Sequence, residues 1–221
     1  MRRNSHAFIA MVLAALAGSL ITAASSAVRA GSSPAQTKIT VAEIEAGKTL
    51  GTKSAPIMVE DFSDFQCPVC RNFFLNTTKE LIDNYVSTGK VYLVHHDFPL
   101  AMHAHSEEAA KWANAAAAIG KFQEVENVLY TKQDDWGMTG KVEETVATVL
   151  SPAEMKRAGA LVGNPEIAAA IQHDKDLGNQ RGVNSTPSVF VTPKGGQVVS
   201  LPPMGTDYHL LKQYLDYLLK Q

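Results

Sequence analysis

Apolar and polar positions along this chain switch between two periods, and the switch points mark its elements. Ile57-Met58-Val59 and Phe62 form a short apolar run after Pro56, which predicts a buried strand. Phe73, Phe74, Thr77, Leu81 and Tyr85 then recur near helical spacing. Lys90 to Pro99 reads as a second strand with a stop. From Pro99 to Gly182 the pattern is wholly helical. There Ser106-Glu107-Glu108 predicts a helix start with Ser106 as cap and acids in the first turn, and Gly120 ends that helix. Its small-residue face is Ala109, Ala110, Ala113, Ala116, Ala117 and Ile119. Phe122, Val125, Val128 and Leu129 mark the next helix, and residues 139–150 a third. Ser151-Pro152-Ala153-Glu154 is a capping box, and Asn164-Pro165-Glu166 starts a helix in a similar way. Ser188 to Val191 reads as a strand, turned by Lys194-Gly195-Gly196 onto Gln197-Val198-Val199. Tyr208 to Leu219 closes the chain as an amphipathic helix, with Leu211, Leu215 and Leu218 on one face and Thr206 or Asp207 as cap. The order is βαβ, helical block, ββα, which predicts an α/β core carrying an all-helical subdomain.

Ahead of the first strand, Lys38-Ile39-Thr40-Val41 is expected as a short edge strand, Ala42 to Ala46 as a helical turn, and Gly31 to Gln36 as a flexible tail. The first 30 residues have another character. Arg2 and Arg3 precede an uncharged apolar run from Ala7 to Ile21, and small residues lead to Ala27-Val28-Arg29-Ala30. That is the three-part pattern of a secretory signal peptide, with cleavage after Ala30, or alternatively after Ala27. Its removal takes away three arginines and no acid, leaving 17 basic against 22 acidic residues. No basic patch suggests nucleic acid, and no later stretch is apolar enough for a membrane span.

Only two cysteines occur in the 221 residues, Cys67 and Cys70, at the strand-to-helix junction. Cys67 falls at the N-cap and Pro68 at the first helical position, where Pro costs no hydrogen bond. Free amides of the first turn, that of Cys70 included, and the helix dipole can then stabilise a Cys67 thiolate, the reactive form. At this exposed helix start Cys67 is expected to attack, with Cys70 resolving. A structural disulfide would close too short a loop to constrain the unfolded chain much. A zinc site needs about four ligands, and the chain offers two thiols. His95-His96 and His103-x-His105 do not share a helical face, so they are expected as loop histidines near the mouth of the site, and no metal is expected. Trp112 and Trp136 are expected as packing residues.

Two stretches carry a resemblance. Gly51-Thr52-Lys53-Ser54-Ala55-Pro56 followed by Glu60-Asp61-Phe62-Ser63-Asp64-Phe65-Gln66-Cys67-Pro68-Val69-Cys70, and Gly182 to Val191 around Thr186-Pro187, resemble the DsbA-like branch of the thioredoxin-fold thiol oxidoreductases of bacterial envelopes. The resemblance runs from about Lys48 to the C-terminus. It implies a thioredoxin-like domain at 48–221 with a helical insertion at about 100–182, entered by Asp97-Phe98-Pro99-Leu100, and a tail at 31–47. Pro187 would be cis against the dithiol, with Thr186 offering its backbone to a bound polypeptide and Pro68 and Val69 lining the same surface. Asp61, if buried, would move protons to and from Cys70. No cofactor is implied beyond the redox-active disulfide. The implied partners are cysteine-containing exported polypeptides and a membrane redox partner that resets the dithiol, around a periplasmic or extracellular monomer. No length is left for the N-terminal dimerisation domain of the family's isomerases. Oxidation is the leading direction. Reduction or isomerisation, and a chaperone or metal-handling binding module on the same fold, stay open.

Overall fold

The computed structural model describes residues 38–221. The expected signal peptide and the tail at Gly31–Gln36 lie outside the described residues. Thr40 does not continue a strand from Lys38. Its hydroxyl accepts from the Glu43 amide while the Glu43 carboxylate accepts from the Thr40 amide, and this capping box starts α1 (Val41–Gly47). Ile44 of α1 is fully buried among the helices of the insertion. The domain therefore begins before Lys48, and 31–47 is not a tail throughout. The edge strand is instead β1 (Thr49–Leu50).

β2 (Ile57–Ser63) follows, buried at every position but Met58. After it the helix from Pro68 runs unbroken to Val86, alternating α2 (Pro68–Phe73), a π-helical turn (Phe74–Thr78), α3 (Lys79–Leu81) and a second π-helical turn (Ile82–Val86). β3 (Val91–Asp97) comes next. The insertion then comprises α4 (Ser106–Ala117), α5 (Phe122–Thr131), α6 (Gln133–Trp136), α7 (Val142–Val146), α8 (Pro152–Val162) and α9 (Pro165–Gln180). β4 (Ser188–Pro193), β5 (Val199–Ser200) and α10 (Tyr208–Leu218) complete the chain. The strands form one sheet in the order β1-β3-β2-β4-β5. β2 pairs parallel with β3, and every other neighbouring pair is antiparallel. This is a thioredoxin-like fold with a helical insertion.

Side chains alternate across the sheet. Ile57 and Val59 pack with Phe73, Leu81, Leu93, Val191, Leu211 and Leu215 under α2, α3 and α10. On the opposite face Phe62 meets Phe98 and Phe190 edge-on, beside α9. Gly178 permits this approach, since a Cβ there would lie 2.7 Å from the Phe98 ring. The third apolar cluster fills the insertion, with Trp112 and Trp136 buried as packing residues, and it takes in Phe65, Cys67, Cys70 and Phe74. The dithiol thus sits on the seam between the two halves.

A buried ionic cluster crosses this seam. Lys48, 2 % exposed, pairs with Asp97 at 2.7 Å and with Asp174 of α9. Burial lowers the lysine's affinity for a proton, but the two carboxylates outweigh it and hold Lys48 charged above the ordinary lysine range. Asn114 of α4 donates to the same Asp97 oxygen at 2.6 Å. His95 and His96 are not loop residues. Both lie on β3, buried, His95 between Asp97 and Glu126 and His96 between Glu60 and Asp174. Pairing is what makes such burial tolerable. Replacing Lys48 with Met would leave the Asp97 and Asp174 carboxylates without the lysine that bridges them, with only His95 and His96 as cationic neighbours. Lys48→Met is expected to cost about 3–5 kcal/mol of unfolding free energy, the range for breaking a buried ion pair. Urea denaturation at neutral pH checks this; a loss below about 1 kcal/mol, as for a surface pair, would contradict it.

Candidate active site

The β2–α2 junction builds the site. Cys67 is the N-cap of α2 in extended conformation, and Pro68 occupies the first helical position. The Cys67 amide donates to the Asp64 carbonyl at 3.0 Å, and the Cys67 carbonyl accepts from the Arg71 amide at 3.1 Å. The Thr186–Pro187 peptide bond is cis, and the Cys67 thiol donates to the Thr186 carbonyl at 3.5 Å. These contacts, with the insertion above, leave Cys67 only 6 % exposed, more covered than a helix start alone implies. Val69, by contrast, is 59 % exposed, with Pro68 exposed beside it and Pro187 half-buried. Thr186 is buried, with its carbonyl against the Cys67 sulfur.

The two sulfurs differ sharply. The Cys70 thiol is the main cause holding the Cys67 thiol down to about 5. Burial opposes it, and the amides of Cys70 and Val69 assist, together with Thr186. Cys70 is fully buried, and burial together with the Cys67 sulfur and the nearby Asp61 charge pushes its thiol well above the ordinary value. Asp61 on β2 is raised to about 6, chiefly by burial; the opposing influences are the neighbouring His95 and the Ser63 hydroxyl, which donates to both carboxylate oxygens at 2.8 Å. Burial lowers His95, but Asp97 and Glu126 raise it to about 10, which keeps a positive charge beside Asp61.

Three site features were not anticipated from the sequence. Gln133 of α6 donates to the carbonyls of Phe65 and Cys67, and Gln66 bridges the Gly137 carbonyl and the His105 amide, so the insertion grips the loop before the dithiol. Ser106 is not a helix cap. His105 holds that position, and the Ser106 hydroxyl donates to Asp64. Tyr130 lies against Phe65 and Phe74, its hydroxyl buried without a hydrogen-bond partner and raised by burial and by Cys70 and Asp61. Among the described residues one cluster has metal-ligating donors in reach of each other: Glu45, His173 and Asp174. Its Asp174 carboxylate already takes Lys48 and His96.

A reactive dithiol at a helix start, beside a cis-proline loop on this sheet, defines a thiol–disulfide oxidoreductase of DsbA-like architecture. A family model described as thioredoxin matches residues 43–200, and the chain belongs to that family. Probable disulfide bond formation protein D of Bacillus anthracis is 25 % identical over 183 residues, covering 79 % of each chain. The crystal structure of Wolbachia pipientis alpha-DsbA1 has 19 % identity and a TM-score of 0.63 over 77 % of this chain and 89 % of its own. Pseudomonas aeruginosa DsbA2 has 23 % identity and a TM-score of 0.61 over 79 % and 95 %. At these identities the two structures show the shared fold.

The lowered Cys67 value has a pH consequence. It stabilises the reduced fold fully above the unfolded thiol value of ~8.5, and that gain is lost as pH falls through about 5. Following ultraviolet thiolate absorbance of the reduced protein should therefore give one midpoint at about pH 5 and no second one below pH 9. A single two-thiol transition near ~8.5 would contradict the asymmetry.

Proposed function

We propose that the protein oxidises paired cysteines of exported polypeptides in the bacterial envelope. A substrate thiolate attacks the Cys67 sulfur of the Cys67–Cys70 disulfide, and Cys70 leaves with the electron pair. A second substrate thiolate then attacks the first substrate sulfur, and Cys67 leaves as a thiolate. The substrate gains a disulfide, and the protein becomes a dithiol. Asp61, raised toward neutrality, donates a proton to the departing Cys70 and recovers it when the disulfide re-forms. Thr186, through its carbonyl, with Pro187, Pro68 and Val69, would hold the substrate segment beside Cys67. A membrane redox partner would reoxidise the dithiol, with no cofactor beyond the disulfide itself.

The observation that carries the direction is the position of Cys67 at the N-cap of α2 beside Cys70, which favours its thiolate. Only the reduced protein contains that thiolate, so its stabilisation favours reduction of the protein and oxidation of its partner. The disulfide would regain little, since its loop is short. The name of the Bacillus anthracis relative supports the same direction. Export is supported by the basic start and apolar run of residues 1–30. Among the described residues no helix is long and apolar enough to cross a membrane.

Two melting curves at neutral pH test the direction. The reduced protein is expected to melt above the oxidised one by several degrees, since each pKa unit is worth ~1.4 kcal/mol and one kcal/mol moves Tm by roughly 2–4 °C in a domain of about this size. A clearly higher Tm for the oxidised form would favour a reductase.

A further inference from the structure

Asp64 lies three residues before Cys67, and nothing in the proposed disulfide exchange uses it. It is 1 % exposed, yet four donors converge on its carboxylate. The Gln66 amide donates to Oδ1 at 2.8 Å, and the Ser106 hydroxyl donates to the same oxygen. The Leu100 amide donates to Oδ2 at 2.9 Å, and His103 Nδ1 donates there at 2.7 Å. Three of these donors come from the segment that enters the helical insertion, and one from the loop before the dithiol. The Asp64 backbone faces the other way. Its carbonyl accepts from the Cys67 amide at 3.0 Å, and its amide points at the Cys70 sulfur at 3.5 Å.

We propose that Asp64 is a positioning residue for the resolving sulfur: its side chain, locked by the insertion, aims its backbone N–H at Cys70 Sγ. This rests on the reading of the dithiol as redox-active and adds to it. Cys70 needs such a donor more than Cys67 does. Burial makes a Cys70 thiolate costly, and the Asp64 amide opposes that cost. A carboxylate with four donors has little freedom, and the amide on the same residue shares that rigidity. The insertion thereby acts on the chemistry beneath it as well as covering it. Asp64 holds the Cys67 backbone as well, but of the two sulfurs its amide meets only that of Cys70.

Reduced protein mixed with oxidised glutathione separates the two sulfurs. In the first step Cys67 attacks, forming a protein–glutathione disulfide and releasing one glutathione. In the second Cys70 attacks the Cys67 sulfur, closing the protein disulfide and releasing the other glutathione. Acid quenching and mass measurement give both rates. For Asp64→Asn the second rate is expected to fall about three- to tenfold, the loss for one ordinary hydrogen bond. The first should stay within about twofold, and the second step's pH profile should shift to higher pH. Equal slowing of both steps would mean a structural role only and overturn the proposal, as would no change in either. If Asp64→Asn does not fold, Ser106→Ala and His103→Gln remove one donor each and are read in the same way. They should show a smaller fall confined to the second step, and an unchanged ratio of rates overturns the proposal. A wild-type protein that reacts at neither sulfur would instead defeat the oxidoreductase reading, so the two failures are distinct.

Discussion

The site depends on an inequality between two sulfurs three residues apart. Cys67 stands at a helix start, where amides without intrahelical partners and the Cys70 thiol favour a negative charge. Cys70 lies one turn in, fully buried, where burial, the Cys67 sulfur and the Asp61 charge disfavour one and the Asp64 amide opposes them. The same short motif therefore yields one nucleophile and one reluctant thiol. Pro68 contributes by fixing the first helical residue without wasting a donor. The loop at Thr186-Pro187 covers the Cys67 sulfur from the side, and the insertion covers it from above. That cover works against the Cys67 thiolate, and the Cys70 thiol and the first-turn amides outweigh it.

Beneath the sulfurs the chain buries a dense set of ionisable groups. Asp61, His95, Asp97, Lys48, Asp174, His96 and Glu60 connect β1's approach, β2, β3 and α9, and Arg181 closes the series on Glu60 at 2.7 Å. Such groups rarely add stability over an apolar core of the same shape. They do fix the relative placement of strand and insertion, because each charge has only one set of partners at the right distance. The placement matters to the chemistry. The positive His95 beside Asp61 restrains how far burial can raise that carboxyl, which stays at about 6, within reach of neutral pH.

Local pattern carried most of the architecture. The switch from apolar run to helical spacing at Ile57 to Tyr85 locates β2 and the active-site helix, and the capping box at Ser151 and the proline start at Pro165 locate α8 and α9. The dithiol was legible because two cysteines at a helix start leave few other roles. What stayed hidden depends on distant partners. His95 and His96 fall within the strand predicted at Lys90 to Pro99, but their burial depends on α9, which brings Asp174, 78 positions away, against His96. Ser106 resembles a helix cap because Ser is a good one, but the cap position falls one residue earlier at His105, and the Ser106 hydroxyl, inside the first turn, donates to Asp64. α1 was misread at its start because Lys38 to Val41 alternates like a strand, whereas the Thr40–Glu43 box decides for a helix. Tyr130 and Gln133 carry no local mark of their role at all.

Stabilisation of the Cys67 thiolate is what would make this dithiol an oxidant. The most direct measurement is its equilibrium reduction potential against glutathione buffers at neutral pH. The expected value lies clearly above the ~−270 mV of thioredoxin, toward the ~−120 mV of the strongly oxidising DsbA. A potential at or below ~−270 mV would mean that the disulfide is the favoured form, and would contradict an oxidising role.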